Sequence, residues 1–120
     1  MKANLTLYAL SNILESVEMS SGLAKLDATE RAILRYVGSN GEAGVEVCIS
    51  DVIQALDTKA SPVTVLKRIR SLCEGGWLTQ GSSAAHHRRI TLHLSQKAGR
   101  EMATASQAAD AALANLLGRA

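Results

Sequence analysis

Aromatic side chains are nearly missing from this chain of 120 residues. Phenylalanine is absent, and the rings are Tyr8, Tyr36 and Trp77 alone. A platform that stacks unpaired bases needs several exposed rings, so this composition disfavours a binder of single strands or RNA. The core must be built from Leu, Ile, Val and Ala. The two cysteines, Cys48 and Cys73, sit in apolar contexts and read as buried, reduced thiols. No stretch approaches a membrane-spanning run, and Met1-Lys2-Ala3-Asn4 leads into a pattern interrupted by Glu15 and Glu18 rather than a signal peptide. A cytoplasmic protein with no membrane contact is the expectation. There is no Ser/His/Asp arrangement, no pair of carboxylates placed for a cleft and no Gly-rich phosphate loop, so neither enzyme activity nor a cofactor is expected. His86, His87 and His93 with the two cysteines match no common zinc spacing, so no metal is expected.

What is present is an apolar content of 47%, enough for one core and too high for a disordered chain. The net charge of +2 hides a strong asymmetry. Residues 1–58 carry four Lys or Arg against eight acids, a local charge of −4. Residues 59–100 carry eight Lys or Arg against Glu74 alone, a local charge of +7. A local concentration of cations is the footprint of phosphate binding.

The basic segment opens with the most informative stretch, 61–78. Ser61 is a good N-cap, and Pro62 at the first helical position loses no hydrogen bond. Val65, Ile69 and Leu72 then recur at helical steps, widened by Leu66 and Cys73. Thr64, Lys67, Arg68 and Ser71 lie on other sides, with Arg70 further round. Gly75-Gly76 ends the helix. One buried side with small polar groups and cations outside is the make-up of a helix for the DNA major groove.

Around it, residues 4–19 predict an amphipathic helix through Leu7, Leu10, Leu14 and Val17. Leu5, Tyr8 and Ile13 give it more apolar surface than one neighbour needs. Leu26-Asp27-Ala28-Thr29-Glu30 has the form of a capping box with a staple residue. Ile33, Leu34 and Val37 follow as a core face, and Gly38-Ser39-Asn40-Gly41 predicts the stop. Val45–Ile49 suits a small strand, and Ser50 a cap for a helix through Val52, Ile53 and Leu56. The turn 57–60 then leads into the basic helix, which makes a helix-turn-helix. Residues 77–83 and 88–95 predict two strands about a tip at 84–87, with Ile90, Leu92 and Leu94 facing inward by period two. Ser95 caps a last, alanine-rich helix over 96–118. Together these give a mainly α chain with a small β-hairpin: a winged helix-turn-helix, core 26–95, flanked by dimerisation helices 4–19 and 96–118.

Several stretches resemble the MarR-type transcriptional regulators. Leu26-Asp27-Ala28-Thr29-Glu30-Arg31-Ala32-Ile33-Leu34 is similar to that family's "L-T-x-x-q-x-x-i-L". Val63-Thr64-Val65-Leu66-Lys67-Arg68-Ile69-Arg70-Ser71-Leu72 with Gly76-Trp77-Leu78 resembles its "s-T-V-s-r-l-v-x-x-L-x-x-x-G-x-V". Arg88-Arg89 and Leu94-Ser95-Gln96-Lys97-Ala98-Gly99-Arg100 resemble the wing and the segment after it. Two departures stand out: His86 or His87 replaces the wing's usual acid, and Arg68 falls where the family has an apolar residue.

The resemblance implies a homodimeric, sequence-specific regulator that binds double-stranded DNA. Its recognition helix 61–74 would enter the major groove and its wing 78–94 the minor groove. The expected contacts are Ser61, Pro62, Val63, Thr64, Lys67, Arg68 and Ser71 on the helix, with Pro62 and Val63 near base edges or thymine methyls. On the wing they are His87, Arg88 and Arg89; few acids lie near these arginines in sequence, which favours the groove. No residue set specifies an effector ligand. The alternative is a winged helix serving as a protein-interaction or assembly adaptor without specific DNA binding, which the small net charge and the acidic first half keep open.

Overall fold

The computed structural model describes residues 2–19, 21–85 and 88–118, with side chains from residue 7 onward. The chain forms two compact units. Leu26–Gly99 is one, and the segments before and after it make the other.

In Leu26–Gly99, α2 (Ala28–Glu42) starts as the sequence predicts. Asp27 accepts from the Glu30 backbone N–H at 2.8 Å, and Glu30 Oε1 accepts from the Asp27 N–H at 3.0 Å. The predicted stop at Gly38-Ser39-Asn40-Gly41 is corrected, because the helix runs through it. Ser39 and Asn40 donate back to the carbonyls of Arg35 and Tyr36, and so stay compatible with helix. Gly38 serves packing, since a Cβ there would lie 3.1 Å from Leu94 Cδ1. The turn falls at Gly44, whose φ of 75° suits glycine.

The strand expected at 45–49 is also corrected. It shrinks to a single bridge, Cys48 to Thr91, with the Leu92 N–H donating to Val47 O at 2.8 Å. Helix α3 (Ile49–Ala55) takes its cap from Cys48 rather than Ser50, because Asp51 Oδ2 accepts from the Cys48 N–H at 2.9 Å. Helix α4 (Pro62–Glu74) has Ser61 as its N-cap, and Gly76 at φ 79° turns the chain after it. Strands β1 (Leu78–Ser82) and β2 (Ile90–Leu94) pair antiparallel, Leu78 opposite Leu94 and Gly81 opposite Thr91.

The inward alternation predicted for β2 holds for Leu92 but not at its start: Ile90 is 45% exposed and Thr91 is 1% exposed. Thr91 is covered by the Cys48 bridge, and its hydroxyl is satisfied by His93 Nε2 at 3.0 Å. Cys48 is buried as expected, and burial pushes its thiol pKa up. Cys73 is half-exposed instead, its sulfur accepting from Gln80 Nε2 at 3.5 Å. The core is aliphatic, centred on Ile33, Leu34, Val52, Val65, Ile69 and Leu72. The first turn of α5 (Gln96–Gly118) is capped by Ser95, whose Oγ accepts from the Ala98 N–H at 3.1 Å.

The other unit contains α1 (Lys2–Met19), a 3-10 turn at Gly22–Lys25 and the rest of α5. Glu101 Oε2 accepts from the Gly22 N–H at 3.2 Å. Leu7, Tyr8, Leu10, Leu14 and Met19 on α1 and Leu117 on α5 are exposed. No described helix is long and apolar enough to cross a membrane.

Candidate nucleic-acid interface

The interface is built on α4. Its i, i+4, i+7 stripe of Val65, Ile69 and Leu72 is fully covered, which fixes which side faces out. The outward side carries Pro62, Val63, Lys67, Arg70 and Ser71, all exposed, with Val63 at 64%. At the N-terminus the Ser61 Oγ accepts from the Thr64 N–H at 3.2 Å and donates to the Thr64 hydroxyl at 3.0 Å. The cap that starts the helix thus also orients Thr64. A turn in which the Lys59 and Ala60 N–H groups donate to Leu56 O joins α3 to α4 and leaves Lys59 exposed. At the far end, Lys97 donates to Gly75 O at 3.2 Å and lies 4.4 Å from the Trp77 ring centroid. It therefore complements the negative end of α4 and stacks on the ring.

The eight cations of residues 59–100 divide in two. Arg68 Nε lies 2.8 Å from Asp27 Oδ2, and Lys97 is held as described. Arg89 donates to Ser50 Oγ at 3.0 Å and Asp51 Oδ1 at 3.3 Å on α3. Lys59, Lys67, Arg70, Arg88 and Arg100 have no described partner and are exposed. The acid on the wing arginine, absent from its neighbourhood in sequence, comes from 38 residues upstream. His87 lies outside the described residues.

A second acid reaches the wing, and sequence reasoning missed it. Glu46 accepts from the Ser83 hydroxyl and from the Ala84 N–H at 3.3 Å. The Ser83 bond, then the Ala84 bond, hold the Glu46 carboxyl below its ordinary 4.5, aided by Arg89 and His93 and opposed by burial. A depressed carboxylate contributes stability above its unfolded pKa and loses it as pH falls through the folded value. The expected result is an Ala84 amide NMR signal that moves as pH is lowered through and below 4.5. Glu46→Gln should abolish that titration, and a signal that titrates unchanged in Glu46→Gln would reject the contact.

Gly81 completes the hairpin. A Cβ there would lie 3.0 Å from Thr91 Oγ1 and 3.5 Å from His93 Nε2, so glycine keeps the two strands in register beside the buried threonine.

No family model matches the sequence. No curated protein matches it either. The fold does match solved structures. A mutant of S. aureus MepR bound to an oligodeoxyribonucleotide superimposes with a TM-score of 0.73 at 14% identity, over 100% of this chain and 84% of that one. The transcriptional regulator Tm0710 from Thermotoga maritima gives 0.77 at 13% identity, over 98% and 76%. YusO of Bacillus subtilis gives 0.66 at 15% identity, over 99% and 81%. These neighbours are MarR-type regulators, and the chain has their winged-helix fold. It is the fold that the sequence resemblance implied.

Proposed function

We propose that the chain is a homodimeric transcriptional regulator that binds specific sites in double-stranded DNA. The observation that carries this reading is the outward side of α4, where Val63, Lys67, Arg70 and Ser71 stand clear of the core beside a hairpin that presents Arg88. Oligonucleotide binding by a MepR mutant of the same fold supports it. In this reading Ser61 to Thr64, Lys67 and Ser71 meet the major groove. Val63 suits a thymine methyl, and Lys67 a guanine edge or a phosphate. Arg88 enters the minor groove, where narrow A·T tracts concentrate negative potential. Arg89 secures the wing to α3. Two copies, paired through the apolar surface of α1 and α5, set their α4 helices about 34–36 Å apart on one side of the duplex. The protein acts in the cytoplasm without a cofactor.

Fluorescence anisotropy with duplex DNA at several salt concentrations tests this. Each cation–phosphate contact adds about 0.9 to the slope of log affinity against log salt. Arg88→Ala is expected to flatten that slope by roughly 1.8 for a dimer. Arg89→Ala is expected to weaken binding while leaving the slope nearly unchanged. Salt-insensitive binding, or none at low salt, would reject the reading and favour an adaptor that meets another protein.

A further inference from the structure

Arg68 stands on the basic helix, yet its geometry separates it from Lys67 and Arg70. Its Nε is out of contact with solvent and lies 2.8 Å from Asp27 Oδ2. The N–H is not aligned on that oxygen, so the contact is an ion pair rather than a directed hydrogen bond. The other oxygen of the same carboxylate, Oδ1, accepts from the Glu30 N–H at 2.8 Å and caps α2. One carboxylate therefore holds the first turn of α2 with one oxygen and the middle of α4 with the other. Both partners are exceptions to the motifs they otherwise follow. Asp27 stands where the "L-T-x-x-q" opening has threonine, and Arg68 where "s-T-V-s-r-l-v" has an apolar residue. Serine or threonine caps a helix about as well as aspartate, so capping alone does not call for the charge. A cation at position 68 does, because a guanidinium 42% exposed, with its Nε shielded from water, is favoured by an anion beside it.

We propose that Asp27 and Arg68 form a positioning pair that sets the angle of α4 against α2, and that Arg68 reads no base. This rests on the DNA-binding reading above. It moves Arg68 from the list of groove contacts to the frame that aims them, so the groove contacts of α4 are Ser61 to Thr64, Lys67 and Ser71. A helix held at both its cap and its middle presents those side chains at one depth and tilt. Loss of the pair would blur every base that α4 reads, whereas loss of a base-reading residue would blur one.

The test uses the full chain and a duplex selected from a randomised library, with single-base variants of that duplex. Asp27→Ser keeps the cap and removes the charge, and Arg68→Met keeps the stem and removes the charge. Each is expected to reduce discrimination by about three- to tenfold, spread over all base positions that α4 reads. The double variant is expected to be no worse than either single one. The salt slope is expected to stay at its wild-type value in Arg68→Met and to fall in Lys67→Ala. Arg68→Met erasing preference at one base pair, with Asp27→Ser unchanged, would overturn the pair and make Arg68 a reader. A wild type that binds no duplex overturns both the DNA reading and the aiming role. Thermal unfolding of the same four proteins then decides the pair by itself, since additive losses would show that the two side chains act independently.

Discussion

Leu7→Glu with Leu14→Glu is expected to convert the protein to a monomer and to weaken binding to its DNA site by about 10²–10⁴-fold. The two leucines lie seven residues apart on α1, 61% and 47% exposed in the single chain. Covering one leucine side chain is worth about 1.5–3 kcal/mol, and a dimer covers each of them twice. Carboxylates placed there would face desolvation on association and, in the proposed dimer, one another across the two-fold axis. The monomer is expected to keep its fold, because substitutions at exposed positions usually change stability within about 0.5 kcal/mol. Sedimentation velocity reads the mass and anisotropy the affinity. A variant that sediments as a dimer places the pairing surface elsewhere. A wild type that is already monomeric rejects the dimer itself.

The largest stability effect is expected at Ile69→Ala. Ile69 is 1% exposed and is flanked along α4 by Val65 and Leu72, both fully buried. Truncating a buried isoleucine costs about 2–5 kcal/mol through lost transfer energy and the cavity left behind. Against a typical total of about 5–15 kcal/mol, that brings the chain close to its unfolding threshold. Urea denaturation followed by far-ultraviolet circular dichroism measures it. Lys67→Ala, two positions away and facing out, is the control and should move the midpoint little. Equal shifts from the two substitutions would mean that α4 is not packed by the stripe described.

These expectations begin from features that were legible in the sequence. The capping box at Asp27 and Glu30, the Ser61-Pro62 start of α4, the Gly75-Gly76 stop and the Ser95 cap each depend on neighbours within a few residues. Such signals survive folding because their partners are always close by. Gly38 misled for the complementary reason. Glycine ends a helix only where no tertiary contact asks the helix to continue, and Leu94 packs where a Cβ at Gly38 would stand. The period of two puts Thr91 on the outward side of β2, but the bridge to Cys48 covers it. The acids on the basic segment were the least legible feature. Asp27, Glu46 and Asp51 come from the chain's first half, and only the folded topology brings them to Arg68, Ser83 and Arg89. The opposite charges of the two halves were the available signal. They read as a division of labour, whereas part of the acid serves to hold the basic elements in place.

The near-absence of aromatic rings has a practical consequence. Trp77, 7% exposed where α4 gives way to β1, is the chain's single indole and belongs to the Leu26–Gly99 unit. Light absorbed at the red edge of the protein's spectrum therefore interrogates one address in one unit. Ellipticity, by contrast, sums over the helices of both. If the two optical signals melt together, the units share one cooperative transition; if they part, the indole dates the loss of the winged helix alone. The protein carries its own reporter for the order in which its units come apart, with no label attached.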